Sequence, residues 1–460
     1  MTGSNSLDVF IGTRLNKIAT LTLESATESE MSLVYEPGWV KEGFAFSPHL
    51  PLDGKFDSRA VRNFIQNLLP EGRGLEEITS NTTVSKNNAF GLIRVIGADT
   101  SGAISFRPFK SPPVETSFRA VSKEELSDRL KKFKSSAASL SQWDGTTRLS
   151  VAGVQDKLNF LERNGELGFG EGNLCSNRIF KFETGKVPFI AVNEFFTMAL
   201  AKEAGLEIPH IELRDYGGVR TFVIDRFDRQ WTPDKDVVLR RHVIDGCQAI
   251  NLPPSYKYER QHGDSGDGAF IRDGASFPKL FGIKTSNQAA YKTSLIRWLI
   301  FNVLNRNYDA HGKNISFFIN RAGMKLTPFY DLVNIEALLC EVEKQSGGNA
   351  SEEAALRSYA MSIGEYEQGE KGNFTNPITA YALADFASSF AISPERLHLL
   401  ITQLISKVEL GIEKAKSLTL KYDLSDQESK HVELCVSIVQ KAIEELKEES
   451  KQITEMFQLI

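Results

Sequence analysis

The feature that most constrains this chain is an apolar helix that runs directly into a polar segment. Residues 286–304 become hydrophobic on all sides towards their end, which predicts a helix whose C-terminal part is buried. The polar segment Asn307-Tyr-Asp-Ala-His-Gly-Lys-Asn314 follows. Two strand-like runs, 315–319 and 325–331, come next and predict a β-hairpin. The fold must therefore place a polar loop between the end of a core helix and a short sheet.

Three oxygen-bearing side chains are brought together by such an arrangement. Asp309 and Asn314 stand five residues apart, the same offset as in the catalytic loop of protein kinases. In that loop the carboxylate orients the attacking hydroxyl and takes its proton, while the amide oxygen binds Mg²⁺. Asp331, at the end of the hairpin, has the position of a second metal-binding group. A structural explanation stays open, because Asp, Gly and Asn also favour an ordinary helix-to-strand turn.

A lysine within a strand adds a candidate phosphate ligand. Lys181 lies in the apolar run 178–182, where it could bind the α- and β-phosphates of ATP. Glu194, near the start of a predicted helix over 192–204, could orient Lys181 through an ion pair. Two simpler explanations remain: Lys181 faces solvent, and Glu194 interacts with the helix dipole. The order strand, strand, strand, helix, strand over residues 149–224 is that of a kinase small lobe.

The rest of the sequence predicts an α+β chain in three parts. Residues 1–110 form an N-terminal α/β subdomain, with a hairpin from runs within 8–24 and a helix after it. Pro112 and its neighbours mark a linker into the small lobe, residues 111–229. Residues 230–460 form a mainly α-helical large lobe that carries the catalytic loop and the metal site.

Composition excludes several classes of protein. The 460 residues include 54 Lys and Arg against 59 Asp and Glu, and a net charge of −5 argues against a protein that coats nucleic acid. The four cysteines are widely separated, which argues against a disulfide framework or a zinc site and favours a reducing compartment. The N-terminus lacks the pattern of a signal peptide, and no segment resembles a membrane span. We expect a cytoplasmic protein without a membrane partner.

Taken together, the motifs resemble the HipA family, the kinase toxins of bacterial toxin–antitoxin pairs. Five strings occur in family order and at family-like spacing: Ser150-Val-Ala-Gly-Val-Gln-Asp-Lys157, Asp225-Arg-Phe-Asp-Arg229, Leu252-Pro-Pro-Ser-Tyr-Lys-Tyr-Glu259, Asp309-Ala-His-Gly-Lys-Asn314 and Leu326-Thr-Pro-Phe-Tyr-Asp331. Two further matches, Leu68-Leu-Pro70 and Tyr359-Ala-Met-Ser-Ile-Gly364, extend the resemblance over nearly the whole chain. The resemblance implies a two-lobed protein-kinase-like fold.

The resemblance also implies roles for individual residues. Asp309 would be the catalytic base, and Asn314 and Asp331 would hold Mg²⁺. Residues 152–157 would form a flexible phosphate loop, and residues 225–227 the hinge that reaches the adenine. The implied ATP-binding residues are Ala152, Gly153, Val154, Gln155, Asp156, Lys157, Lys181, Asp225, Arg226, Phe227, His311, Gly312, Lys313, Asn314 and Asp331.

Regulation and partners follow from the same resemblance. Ser150 matches the serine that the family phosphorylates on itself, and a phosphate there adds about −1.5 to −2 charges. Because this charge would lie beside bound ATP, we expect autophosphorylation at Ser150 to eject the loop and inactivate the enzyme. The implied partner is a dimeric helix-turn-helix antitoxin, similar to HipB, which makes most of the contact with operator DNA. The implied substrate is a translation component, typically an aminoacyl-tRNA synthetase, whose phosphorylation causes growth arrest and persistence.

One departure from the family pattern keeps two alternatives open. The family usually reads Asp-Gly-His-Ala-Lys-Asn, whereas Ala310 and Gly312 stand exchanged here. The spacing is retained, but the geometry of the loop can differ. A kinase of the same superfamily that acts on a lipid or small molecule would share Asp309, Asn314 and Asp331. A kinase fold retained as a corepressor or antitoxin scaffold is the second alternative.

Overall fold

The computed structural model describes residues 5–25, 30–112, 114–135, 140–147, 156–185, 187–263, 268, 270–346, 357–364, 367–368, 374–375 and 378–460. The chain forms two compact units. Unit 1 comprises residues 1–184, 210–254 and 316–327, and unit 2 comprises residues 185–209, 255–315 and 328–460. The three-part division with boundaries after residues 110 and 229 stays a prediction.

Unit 1 consists of antiparallel sheets and short helices. Its strands are β1 Ser6–Ile11, β2 Asn16–Ser25, β3 Glu30–Tyr35, β4 Ile104–Pro108, β5 Ser117–Ala120, β6 Gln142–Trp143, β7 Thr146–Thr147, β8 Lys157–Arg163, β9 Glu166–Glu171, β10 Arg178–Phe182, β11 Ile211–Asp215, β12 Arg220–Asp225, β13 Arg229–Trp231, β14 Val238–Arg240, β15 Val243–Asp245, β16 Ser316–Asn320 and β17 Gly323–Leu326. Its helices are α1 Pro37–Glu42, α2 Ser58–Leu68, α3 Gly72–Asn81, α4 Ala89–Ile96, α5 Lys123–Ser135 and α7 Gly246–Ala249.

The N-terminal sheet has the strand order β3-β2-β1-β4. The predicted hairpin is confirmed, since β1 and β2 pair antiparallel. Alternate residues of β1, among them Leu7 and Val9, are fully buried, which is the period of a strand with one face in a core. The predicted helix after the hairpin is α2. The Asp57 side chain caps its N-terminus by accepting from the Ala60 amide, and the helix ends shortly before Pro70.

The central sheet has six strands in the order β11-β12-β10-β8-β9-β5. Strands β10 and β12 lie where the sequence predicted them. The strand predicted over residues 149–157 falls mostly outside the described residues. Strand β8 forms a hairpin with the β9 strand that follows it and pairs with β10 on its other side. The predicted pairing of residues 157–161 with residues 149–157 stays a prediction. Asn164 and Gly165 form this turn with positive φ angles of 52° and 83°.

A third sheet, β15-β16-β17, contains the hairpin predicted after the polar loop. Strand β17 ends at Leu326, so the prediction of a strand that runs to Asp331 was wrong. The Thr327 amide still pairs with the Ser316 carbonyl at 3.0 Å, and Pro328 then follows. Since proline cannot donate a hydrogen bond to a sheet, residues 328–331 leave the ladder.

Unit 2 is mainly helical. Its elements are α6 Ile190–Glu203, α8 Phe277–Phe281, α9 Gln288–Leu304, α10 Ile335–Ser346, α11 Ala380–Ser389, α12 Pro394–Thr419, α13 Asp426–Lys451, α14 Ile453–Phe457 and the short strands β18 Glu367–Gln368 and β19 Phe374–Thr375. The predicted caps of the two long helices are confirmed: Ser393 accepts from the Arg396 amide, and Ser425 forms a capping box with Glu428. In the described part of the chain, no helix has the length and apolar character needed to cross a membrane.

Candidate active site

The polar loop, residues 307–314, is fixed to the end of α9. Its first residue, Asn307, donates from Nδ2 to Asn302 Oδ1 at 2.8 Å, and its amide pairs with the Asn302 carbonyl at 2.9 Å. Arg306 between them has a positive φ of 48°, which reverses the chain after the helix. The loop ends in a 3₁₀ turn, Gly312–Asn314. Asn302 interrupts the apolar end of α9 because it makes this attachment.

Asn314 and Asp331 lie together, as predicted. Asn314 Nδ2 donates to Asp331 Oδ2 at 3.2 Å, and Asn314 Oδ1 accepts from the His311 amide at 3.0 Å. Asp331 has a positive φ of 52°, a left-handed conformation that Asp and Asn adopt more readily than most other residues. Asn307 Nδ2 also lies 3.4 Å from the Asp331 carbonyl oxygen. The two candidate metal ligands are therefore held in one hydrogen-bonded group.

Asp309 is exposed, in contrast to its neighbours in the loop. Its carboxylate accepts a hydrogen bond at Oδ1 from the Tyr258 hydroxyl, at 2.7 Å. Its carbonyl accepts from the His311 amide at 2.8 Å, which closes a tight turn. An exposed carboxylate on a firmly hydrogen-bonded loop can receive a proton from a substrate hydroxyl, as a general base must.

The side chains between Asp309 and Asn314 point into the protein. His311 is buried, and burial, followed by the nearby charge of Lys257, lowers the pKa of its imidazole to about 3. A neutral His311 ring packs edge-on against the Tyr258 ring, with centroids 5.2 Å apart. Lys313 is 8% exposed, and its carbonyl accepts from the Tyr330 hydroxyl at 2.6 Å. His311 thus supports the loop as an uncharged residue at neutral pH.

The donor set fits Mg²⁺. Asp331 offers a carboxylate and Asn314 an amide oxygen, which are hard ligands of the kind that Mg²⁺ prefers. Within the described residues, no group of three or more His, Cys, Asp and Glu side chains could hold a metal ion. A protein site with one carboxylate and one amide suits Mg²⁺, because this ion keeps several waters and takes its other ligands from the phosphates of a nucleotide.

Unit 1 contains the other predicted phosphate ligands. Lys181 on β10 pairs directly opposite Lys157 on β8, and both side chains are buried, with 6% and 9% exposure. The simpler explanation of Lys181 as a solvent-facing residue is therefore wrong. Because they lie directly opposite each other on neighbouring antiparallel strands, the two lysines are on the same face of the sheet. Asp156, next to Lys157, accepts from the Thr184 hydroxyl at 2.7 Å.

The predicted adenine hinge lies at the end of β12. Asp225 forms an ion pair with Arg178. Arg226 is buried and donates to Asp228, with Nη2 to Oδ2 at 2.8 Å. The Phe227 ring packs edge-on against Phe318 of β16, with centroids 6.0 Å apart. The described side-chain contacts of Asp225 and Arg226 are structural, and the contact of residues 225–227 with adenine stays a prediction.

Glu194 is fully buried in α6. The helix begins at Ile190, two residues earlier than predicted, so Glu194 lies beyond its first turn. The dipole of a helix acts mainly on its first turn, which weakens that explanation of Glu194. The ion pair of Glu194 with Lys181 stays a prediction.

The neighbour of Glu194, Asn193, bonds to the segment that follows Asp331. Its Oδ1 accepts from the Asn334 amide at 2.8 Å, and its Nδ2 donates to the Asn334 carbonyl at 3.0 Å. The same Nδ2 lies 3.0 Å from His431 Nε2, which accepts. Burial lowers the pKa of His431 to about 4, so the ring is neutral and able to accept at neutral pH.

Two sets of residues complete the account of the predicted site. Ser150 and the loop residues Ala152, Gly153, Val154 and Gln155 lie outside the described residues. Sequence reasoning missed Tyr258, Asn302, Asn307 and Asn193. Tyr258 lies in one of the family-like strings, but a separation of 51 residues from Asp309 left no local signal of their contact.

Comparisons with known proteins give one consistent result. Residues 7–107 match the HipA N-terminal domain, and residues 149–412 match the HipA-like C-terminal domain. The serine/threonine-protein kinase toxin HipA of Shewanella oneidensis is 42% identical over 313 residues, which are 68% of this chain and 71% of that protein. The structure also matches the solved complex of HipA, HipB and operator DNA from Shewanella oneidensis MR-1. That match has a TM-score of 0.83 and 34% identity, and it covers 98% of this chain and 99% of the solved one.

Proposed function

Since this chain belongs to the HipA family, we propose that it is an ATP-dependent serine/threonine protein kinase and the toxin of a bacterial type II toxin–antitoxin pair. One observation supports the proposal above the others. The hydrogen bond from Asn314 Nδ2 to Asp331 Oδ2, 3.2 Å long, holds two candidate Mg²⁺ ligands together beside the loop that carries Asp309. The arrangement matches the chemistry of phosphoryl transfer, which depends on positioning and on compensation of charge.

Each group has a defined task in this reaction. Asp309 orients the substrate hydroxyl and accepts its proton while the hydroxyl oxygen bonds to the γ-phosphorus. The bond from that phosphorus to the oxygen shared with the β-phosphate breaks, and ADP leaves. Lys181 and Lys157 compensate the negative charge of the phosphates. Asn314 and Asp331 would hold Mg²⁺, which would supply positive charge beside the phosphate oxygens.

The partner and the target are finer parts of the proposal. The solved relative is a complex with HipB and operator DNA, which supports a HipB-like antitoxin as partner. We propose that this antitoxin is a dimeric helix-turn-helix protein that makes most of the contact with DNA. We propose that the kinase acts in the cytoplasm on a translation component, with an aminoacyl-tRNA synthetase as the target class. Autophosphorylation at Ser150 would then inactivate the enzyme.

Transfer of labelled phosphate tests the catalytic proposal. Purified chain is incubated with Mg²⁺, [γ-³²P]ATP and dephosphorylated casein, and label on the chain and on casein is measured. We expect Asp309→Asn to lower the rate by about 10²- to 10⁴-fold, the contribution of a general base. Asp236→Asn removes an exposed carboxylate that is distant from Asp309 in the sequence. It is the matched control and should leave the rate unchanged.

The same measurement distinguishes the alternatives. Absence of label from both the unaltered chain and Asp309→Asn would favour a scaffold over a kinase. Label on added lipid and none on protein would favour a lipid kinase. Equal rates for the two chains would exclude Asp309 as the base.

Expression in bacteria tests the toxin proposal. We expect the unaltered chain to arrest growth, Asp309→Asn to permit growth, and a co-expressed HipB-like antitoxin to relieve the arrest. Phosphoproteomics of the two strains would identify the target, and absence of any phosphorylated synthetase would contradict the proposed class. A Ser150→Ala chain should keep its activity after preincubation with ATP, whereas the unaltered chain should lose it.

A further inference from the structure

One family-like string, residues 252–259, has no role in the reaction described so far. Its last residue, Glu259, is buried with 2% exposure. Glu259 Oε1 accepts from Arg272 Nε at 2.8 Å, and Oε2 accepts from the Ser362 amide and hydroxyl at 2.6 and 2.8 Å. Ser362 belongs to another string without an assigned role, residues 359–364. The two strings therefore bind each other through a buried carboxylate.

Backbone hydrogen bonds continue this contact to the polar loop. The Glu259 amide donates to the Ala360 carbonyl, and the Ala360 amide donates to the Tyr308 carbonyl, both at 2.9 Å. On the other side, the Gly312 amide donates to the Lys257 carbonyl at 2.9 Å. Residues 257–259 are thus attached to the loop both before and after Asp309.

Close packing leaves the backbone of Tyr258 little freedom. The Tyr258 carbonyl oxygen would lie 1.8 Å from a Cβ added at Gly274, a distance that no real side chain tolerates. The Gly274 amide also donates to the Glu259 carbonyl, at 3.1 Å. Together with the Glu259 anchor, this packing directs the Tyr258 side chain towards the loop.

The hydroxyl of the Tyr258 side chain donates a hydrogen bond to Asp309. Its ring rests edge-on against the buried His311 ring, with 5.2 Å between centroids, and its hydroxyl lies 2.7 Å from Asp309 Oδ1. We propose that Tyr258 is a positioning residue for phosphoryl transfer, which holds the exposed Asp309 carboxylate in the rotamer that faces the substrate hydroxyl. The inference rests on the proposed function of Asp309 as the base.

The physical reason is the exposure of Asp309. An exposed Asp side chain samples several rotamers, and only a small part of them directs an oxygen at the reacting hydroxyl. A charge-assisted hydrogen bond from the Tyr258 hydroxyl fixes Oδ1 and, with it, the direction of Oδ2. The fixed carboxylate increases the rate of the chemical step and leaves the binding of ATP unchanged.

Replacement of the hydroxyl tests the inference. We measure initial rates of labelled phosphate transfer to the chain and to dephosphorylated casein as ATP is varied, for the unaltered chain and Tyr258→Phe. We expect kcat to fall about 10- to 100-fold, the range for a hydrogen bond to a charged group, and the KM for ATP to stay within twofold. Tyr291→Phe removes a buried tyrosine hydroxyl whose hydrogen bond to the Leu280 carbonyl is 2.7 Å long, and as the matched control it should leave both constants unchanged.

A third variant separates positioning from a structural role of the ring. Replacement of Tyr258 by 4-aminophenylalanine restores a donor of the same reach, and we expect it to recover most of the lost kcat. Full activity of Tyr258→Phe, or failure of the amine to recover the activity lost in Tyr258→Phe, would overturn the inference while Asp309 remained the base. Absence of phosphate transfer by the unaltered chain would instead overturn the proposed function, and the role of Tyr258 with it.

Discussion

Two charged strings of this chain, residues 225–229 and residues 309–314, are used in opposite ways. In the first, Asp228 and Arg229 are both buried, and their charges are paired inside unit 1. In the second, Asp309 is exposed and its carboxylate accepts a hydrogen bond from the Tyr258 hydroxyl. We therefore expect the first string to stabilise the fold and the second to supply reactivity. Their sequences alone do not distinguish these uses.

The buried string forms a compact ion-pair network. Asp228 Oδ2 accepts from Arg229 Nη1 and from the Gly102 amide, both at 2.7 Å. Arg229 Nη2 also donates to Asp99 Oδ1 at 2.9 Å. Burial by itself raises the pKa of Asp228, but the charges of Arg226 and Arg229 outweigh it and lower the pKa to about 2. The network attaches residues 99–102, which precede β4, to the segment between β12 and β13.

The largest effect expected is the loss of stability that follows when a charge is removed from the buried network. Asp228→Asn leaves two buried guanidinium groups with less compensating charge, and we expect it to lower the free energy of unfolding by about 3–5 kcal/mol. Urea denaturation measures the change. Asp236→Asn, which breaks an exposed ion pair with Arg163, is the control and should change stability by less than about 1 kcal/mol. An Asp228→Asn chain with normal stability would contradict the structural use of residues 225–229.

Asp331, which is hydrogen-bonded to Asn314 of the second string, should show the reverse pattern. We expect Asp331→Asn to lower the rate of phosphate transfer at least about a hundredfold, or about 2.8 kcal/mol, because a metal ligand is lost. The midpoint of urea denaturation should hardly change, since Asn also adopts the positive φ of Asp331. A titration of activity with Mg²⁺ should show that more metal is needed for half-maximal rate. A loss of about 2.8 kcal/mol in the free energy of unfolding, as large as the loss in activity, would contradict the contrast between the two strings.

A smaller effect tests whether the loop that carries Asp309 depends on the close packing of uncharged groups at Tyr258. Gly274→Ala places a methyl group against the Tyr258 carbonyl, and we expect the resulting shift to cost about 1–3 kcal/mol of stability. The rate of phosphate transfer should fall as well, because the Tyr258 hydroxyl moves relative to Asp309. Gly282→Ala is a suitable control, since its added methyl would lie no closer than 3.3 Å to any atom. Unchanged rates in Gly274→Ala would show that the loop tolerates movement of residue 258.

The smallest effect concerns the pH dependence of unit 1. His242 is buried, its Nε2 donates to the Phe46 carbonyl at 2.7 Å, and burial lowers its pKa to about 4. Because the pKa of His242 in the folded chain lies below its ordinary value of about 6.5, the unfolded chain binds more protons between about pH 6.5 and pH 4. The contribution of neutral His242 to the free energy of unfolding is therefore fully present above pH 6.5 and is lost as the pH falls towards 4. In the His242→Gln chain, we expect the free energy of unfolding to fall less steeply with decreasing pH, by at most about 1.4 kcal/mol per pH unit. The exposed His210→Gln is the control, and identical pH profiles for His242→Gln and the unaltered chain would contradict the assignment.

Much of the fold could be predicted because its signals are local. The α+β, protein-kinase-like class and the HipA family are confirmed. The helix α9 was predicted because the chain becomes hydrophobic on all sides towards residue 304, and the starts of α12 and α13 were predicted from Ser393 and Ser425. The β8–β9 hairpin was not predicted, because strand pairing depends on contacts that a run of apolar residues does not specify.

The candidate site was predictable only in part for the same reason. The offset from Asp309 to Asn314 lies within one loop, so spacing could predict it. The contact of Tyr258 with Asp309 and the attachment of Asn307 to Asn302 require the folded chain. Asp331 was expected at the end of a strand, but its position is set by an irregular segment after Pro328 and by a left-handed backbone. These features depend on hydrogen bonds that close only after tertiary packing.

The double hydrogen bond between Asn193 and the backbone of Asn334 has a mechanical consequence. It joins α6 to the segment just after Asp331 through two hydrogen bonds, the number that one hydrogen-bonded residue pair makes between antiparallel strands. A displacement of α6 must therefore carry residues 331–334 along, or break both bonds at once. The Asn334 amide should accordingly exchange its hydrogen for deuterium as slowly as the core of α6, and this single proton would report whether the helix and the metal-binding segment move as one body.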